Sequence, residues 1–138
     1  MSVRHKNKTL AALIAFLFGA IGLHRFYLKG LGDRWGWLHL VSLPATALLM
    51  QSWPGEPLLI TASPLVLSAL IASIETFVIG LMPDEKWDAT WNPASGRQSD
   101  SRWPVALLMV ANMFYGATLL LVVLARAFDL MLTGGAYG

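Results

Sequence analysis

The side chains able to do acid–base or ionic chemistry in this sequence are few, and two of them stand side by side. His24 and Arg25 open the stretch His24-Arg25-Phe26-Tyr27-Leu28-Lys29-Gly30, which follows a short apolar run ending at Gly22-Leu23. Aromatic rings and long cations gather where a membrane segment reaches the headgroups, so one reading is an interfacial anchor. The sharper reading turns His24 or Arg25 inward to pair with an intramembrane acid. The chain offers one in Glu75, seven residues before the end of an apolar run at Met82. That places the carboxyl about 10 Å along a helix from the run's end, inside the hydrocarbon region. An acid there is costly, and is either a structural clamp or part of a transport path. No second intramembrane acid accompanies it to form a relay, which favours the clamp. His39, inside another apolar run, is expected to be packed or hydrogen-bonded rather than a metal ligand, since no further ligands are visible near it. Nothing in the spacing ties the histidines at 5, 24 and 39 to one site.

The remaining chemistry is sparse. There is no cysteine, which removes disulfides, thiolate catalysis and Cys-based metal sites. No nucleophile–base spacing, phosphate-binding glycine loop or metal cluster is present, so catalysis, a cofactor and a bound metal are not expected. Asp84, Glu85 and Asp88 do not fit a calcium loop and read as the solvated face of an interfacial helix. The same helix carries Trp87 and Trp91 at i, i+4, expected to dip toward the membrane. The +2 net charge is spread over segment ends and does not form a nucleic-acid patch.

These residues are held by elements that a membrane dictates. Of 138 residues, 56% are hydrophobic and 13% charged, half the roughly 25% of a soluble domain. Mean hydropathy is +0.57. The sequence predicts an all-α fold: a small polytopic membrane bundle of four apolar helices with three or four crossings. The divisions are a basic tail 1–9, a membrane domain 10–93, a polar linker 94–103, a last helix 104–133 and a mobile tail 134–138. Ala15-x-x-x-Gly19, with Gly22, gives the first segment a small-residue face for close packing within the chain. Asn112 and Gly116 give the last segment a polar, closely packing spot. Pro44 is expected to kink the second segment, with Ser42 or Thr46 satisfying the freed backbone groups.

Charge argues against four crossings. With the basic N-terminus inside, four crossings would strand Arg25, Lys29, Arg34, Lys86, Arg97 and Arg102 outside, against the positive-inside rule. If the short first segment fails to cross, nine of the ten cations share one side.

Lys6-Asn7-Lys8-Thr9-Leu10-Ala11-Ala12, Phe18-Gly19-Ala20-Ile21-Gly22 and His24-Arg25-Phe26-Tyr27-Leu28 resemble the opening half of the TM-2 (two-transmembrane) domain family. Ile74-Glu75-Thr76-Phe77, the stretch Leu81 to Asp88, and Trp91-Asn92-Pro93 resemble the end of its bacterial members. The resemblance implies a bacterial inner-membrane protein with an interaction role and no named substrate. The function expected is a non-catalytic structural or interaction module in the membrane. The alternative is a subunit of a small transporter or channel with Glu75 lining a polar path. Its partners are then the bilayer and a second copy or another membrane protein, with the N-terminus cytoplasmic.

Overall fold

A computed structural model describes residues 5–137. The expected residues Arg4 of the basic tail and Gly138 of the last tail lie outside them. Seven helices follow in order: α1 (Lys8–Phe18), α2 (Leu23–Lys29), α3 (Arg34–Ser52), α4 (Leu58–Thr61), α5 (Ser63–Leu81), α6 (Asp84–Trp91) and α7 (Trp103–Thr133). No strand occurs among the described residues.

Among the described residues, α5 and α7 alone combine the length and the hydropathy of a membrane span, where the sequence suggested four such helices. The other two fall short for different reasons. The first has 11 residues in α1, about 17 Å of rise, before a 3-10 turn at Gly19–Ile21 ends it. The second, α3, has 19 residues but is diluted by Arg34, His39, Ser42, Thr46 and Gln51. The expected third segment is also divided, into α4 and α5, at Ala62.

After the 3-10 turn, Gly22 takes the left-handed conformation (φ 78°, ψ 12°) and reverses the chain into α2. A Cβ at Gly22 would sit 2.6 Å from the Gly36 carbonyl oxygen and 2.9 Å from the His39 Cβ. Glycine is therefore required both by the turn and by the close approach of α3. The reversal brings the end of α2 back beside the start of α1: Tyr27 Oη accepts from the Asn7 amide at 3.0 Å, and Lys6 Nζ donates to the Leu28 carbonyl. The pair is a helical hairpin with both ends on one side.

α5 lies at the centre, packed against α1, α3 and α7. Close approach explains the small residues along it. A Cβ on Gly19 would lie 2.8 Å from the Ala72 Cβ. One on Gly116 would collide with the Ser73 Oγ. The small-residue face of α1 is thus spent within the chain, as expected. Asn112 is fully buried, accepting from Ser73 Oγ at 3.1 Å and donating to the Ser73 carbonyl at 2.9 Å.

Local signals fix the helix ends. Asn7 caps α1 by accepting from Leu10 N at 3.0 Å. Asp33 caps α3 by accepting from Gly36 N at 2.9 Å. Thr46 does not serve the gap left by Pro44. Its hydroxyl accepts from Leu65 N in the first turn of α5, where amides lack helical partners. Ser42 instead donates to the His39 carbonyl at 2.6 Å. Lys8, 5% exposed, donates to the Met82 carbonyl at the end of α5 and to Asp84 at 2.9 Å. A cation at the final carbonyls of a helix is favourable. Lys6 does the same for α2 and also stands over the Trp91 ring at 5.2 Å.

The candidate polar site

Glu75 projects from α5 toward α2 and α3 and is met from both. Its Oε2 lies 2.7 Å from His24 Nε2, and its Oε1 accepts from the Arg25 guanidinium. His39 Nε2, from α3, approaches the same Oε2 at 3.3 Å. His24 and His39 side chains are 2% and 4% exposed, Glu75 16% and Arg25 20%. The inward reading of the His24-Arg25 pair therefore holds for both residues.

The expectation that the histidines share no site is corrected for two of them. His24 and His39 have ring centroids 6.0 Å apart, edge to face, with one carboxylate oxygen between their Nε2 atoms. No spacing rule links positions 24, 39 and 75. The link comes from the left-handed Gly22 turn, which lays α2 across α3. Periodicity alone held one usable clue: His39 lies one helical turn after Trp35, and Arg25 stacks on that Trp35 ring at 5.9 Å. His39 Nδ1 lies 2.6 Å from Ser68 Oγ, which donates to the Ala20 carbonyl at 2.6 Å. Arg25 also faces Asp33, the α3 cap, at 3.5 Å, and Lys29 faces it at 3.8 Å. His24 Nδ1 and Arg25 Nε have no partner in the protein. Among the described residues no group of three or more His, Asp and Glu is placed to hold a metal ion.

Phe26 and Tyr27 have structural roles. The Phe26 ring packs against Gly36, whose Cβ, if present, would be 2.7 Å from it, and stacks edge to face on Trp37 at 5.4 Å. A cavity of about 360 Å³ reaches the site between α2, α5 and α6, past His24, Arg25, Lys29, Glu75 and Trp91. A second, of about 270 Å³, opens between α3 and α5 beside His39 and Ser68.

The acidic face of α6 also differs from expectation. Glu85 is exposed, but Asp84 and Asp88 hold the linker. Asp84 accepts from Lys8 and from Ser101 N at 2.7 Å. Partial burial pushes its carboxyl up, yet these hydrogen bonds and the Lys8 charge outweigh it and leave the group below the usual range. Asp88 accepts from Asn92 Nδ2 at 2.9 Å and from the Ser99 hydroxyl and amide, each at 2.6 Å. These bonds lower its pKa to about 2. Trp87 does not dip toward lipid: it is fully buried in the protein, and its indole donates to the Lys6 carbonyl at 3.0 Å. Trp91 packs beside it, rings 6.0 Å apart. His5 joins this clasp through Ser95 Oγ at 3.0 Å.

The TM2 domain profile matches residues 4–52, which include the α1–α2 hairpin and all of α3. Over 90 residues the chain is 32% identical to the uncharacterized membrane protein YozV of Bacillus subtilis (strain 168), a match covering 65% of this chain and 86% of that protein. The chain belongs to the TM2 domain family. As a TM2 membrane protein it places the family-matched His24, Arg25 and His39 on one side of the polar site. Glu75, which all three face, lies beyond the matched residues. No solved structure matches this TM2 chain significantly.

Proposed function

We propose that this TM2 protein is a non-catalytic structural or interaction module of the bacterial inner membrane, in which Glu75 is a clamp fastening α2 and α3 to α5. The carrying observation is the convergence of His24, Arg25 and His39 on one carboxylate. Removing one partner of a buried ion pair costs about 3–5 kcal/mol, and partial exposure of Arg25 reduces this to about 2–4 kcal/mol. Glu75→Gln in lipid nanodiscs should therefore lower stability by that amount while vesicle permeability stays unchanged. A variant that keeps its stability overturns the clamp. One that keeps its stability and loses an ion or proton flux supports the alternative, a transporter or channel subunit. That second reading draws on the cavity that reaches Glu75 and Arg25.

We further propose three crossings, α5, α7 and α3, with the α1–α2 hairpin re-entrant and the N-terminus cytoplasmic; α3 is less apolar than the other two, but its 19 residues give the length and its His39, Ser42 and Thr46 are buried inside the bundle, away from lipid. Support comes from the pairing of Lys6 with the end of α2 and of Lys8 with the end of α5, which gathers the basic tail, Lys29 and the 83–102 segment at one end. Nine of the ten cations then share one side, the cytoplasmic side under the positive-inside rule. The large apolar residues exposed along α7, such as Phe114, Leu121 and Phe128, face lipid or a second protein in this arrangement.

A further inference from the structure

Hydrogen-bond accounting at His39 fixes where protons lie. Ser68 Oγ is 2.6 Å from the Ala20 carbonyl oxygen and 2.6 Å from His39 Nδ1. A carbonyl cannot donate, so the single hydroxyl hydrogen is committed to Ala20. His39 Nδ1 must then carry its own hydrogen and donate to Ser68. A neutral imidazole has one N–H, so Nε2 would be left as a bare lone pair. Yet Nε2 faces the Glu75 carboxylate oxygen at 3.3 Å, within a site only 4% exposed on the histidine side. Two lone pairs held that close in a poorly solvated bundle repel, unless a proton lies between them.

We propose that the His39–Glu75 contact is a proton-binding site within the membrane bundle. It holds one proton more than a neutral histidine and an ionised carboxylate supply. The surrounding groups decide which partner carries it. From α2, Arg25 donates to Oε1 and His24 Nε2 meets Oε2 at 2.7 Å. His24 Nδ1 is buried without a partner, so His24 is the neutral form with its hydrogen on Nε2. From the N-cap of α3, Asp33 shares Arg25 and Lys29. With two donors already on the carboxylate, the extra proton sits on His39 as an imidazolium whose Nε2 lies 3.3 Å from Glu75 Oε2. Loss of this proton to water leaves the neutral Nδ1–H histidine and the carboxylate facing one another, and loosens α3 from α5. The cavity that reaches Glu75 past Lys29 and Arg25 gives the proton its route. The inference does not depend on whether the cluster works as a clamp or as a path.

The test uses the intact wild-type protein in lipid nanodiscs with nitrogen-15 histidine. The chain has one His-Leu dipeptide, 39–40, so His39 is assigned without a substitution. At neutral pH both His39 nitrogens should show protonated shifts. Alternatively, a neutral His39 accompanied by a protonated-carboxyl infrared band that disappears in Glu75→Gln also supports the site. A neutral His39 beside an ionised Glu75 overturns it, as does a hydrogen found on Nε2 with Nδ1 bare.

Discussion

Replacing Gly22 by alanine tests how the site is assembled without touching any charged group. Two terms oppose the substitution. Gly22 has φ 78° and ψ 12°, and holding an alanine in the left-handed region costs about 1–2 kcal/mol. The new Cβ would also stand 2.6 Å from the Gly36 carbonyl oxygen, a backbone atom, so α3 must move away. Overpacking of this kind costs about 1–3 kcal/mol more. Gly134 is a matched control, since it has nearly the same backbone (φ 68°, ψ 19°) with open space around its Cβ position. Gly134→Ala should thus cost at most the first term, and Gly22→Ala about 2–5 kcal/mol in all. Unfolding in mixed micelles, followed by tryptophan fluorescence, measures both. His39 nuclear resonance should shift in Gly22→Ala and stay fixed in Gly134→Ala. Equal losses in the two variants would refute the argument that close packing of the hairpin on α3 builds the site.

Three further outcomes are expected. Single cysteines at Lys29 and Arg97 should resist an impermeant maleimide in intact cells while one at Glu56 reacts; labelling of Lys29 and Arg97 from outside would sink the three-crossing topology. Asn112→Ala should cost about 1 kcal/mol, because interhelical hydrogen bonds in bilayers are worth little more than that each, and unfolding titration reads it directly. The Asp88 clasp should weaken in acid. With a folded pKa of about 2 against an unfolded value of about 4, its contribution is complete above the unfolded value and is lost as pH falls through the folded one. Hydrogen exchange at the Ser99 amide should accelerate across that interval, and Asp88→Asn should flatten the response.

Helical content and membrane class were legible because composition and apolar blocks report them directly. The pairing of His24 and Arg25 with Glu75 is legible as one of two readings, beside an interfacial anchor, since an isolated intramembrane acid needs a partner and few are available. His39 was not, because its membership depends on a chain reversal at one glycine, and a left-handed glycine looks in sequence like any small residue in a packing stripe. The acidic face of α6 misled for a similar reason. Carboxylates on an exposed helix normally face water, and nothing in the order of residues says that Ser99 and Ser101 will fold back onto Asp88 and Asp84. The glycine-rich tail after α7 carries no sequence signal for the two contacts it makes, from Gly135 N and Tyr137 N back to Asp129. Lys6 and Lys8 stand in the sequence as topology signals, while their amines also close the ends of two helices.

The lysine contacts bear on how the chain is made. Lys8 is synthesised 74 residues before its acceptor Met82, and Arg25 50 residues before Glu75. When the first helices leave the ribosome, Asp33 is the one carboxylate at hand for Arg25 and Lys29, and the acceptors of Lys8 and the second partner of Arg25 are still to come. The hairpin can settle at depth only after α5 has been delivered. Residues 4–52, the part matched by the family, should therefore depend on α5 for their full set of polar partners in this protein. A chain ending after α3 should leave His24, Arg25 and Lys8 without these partners and be open to quality-control proteases.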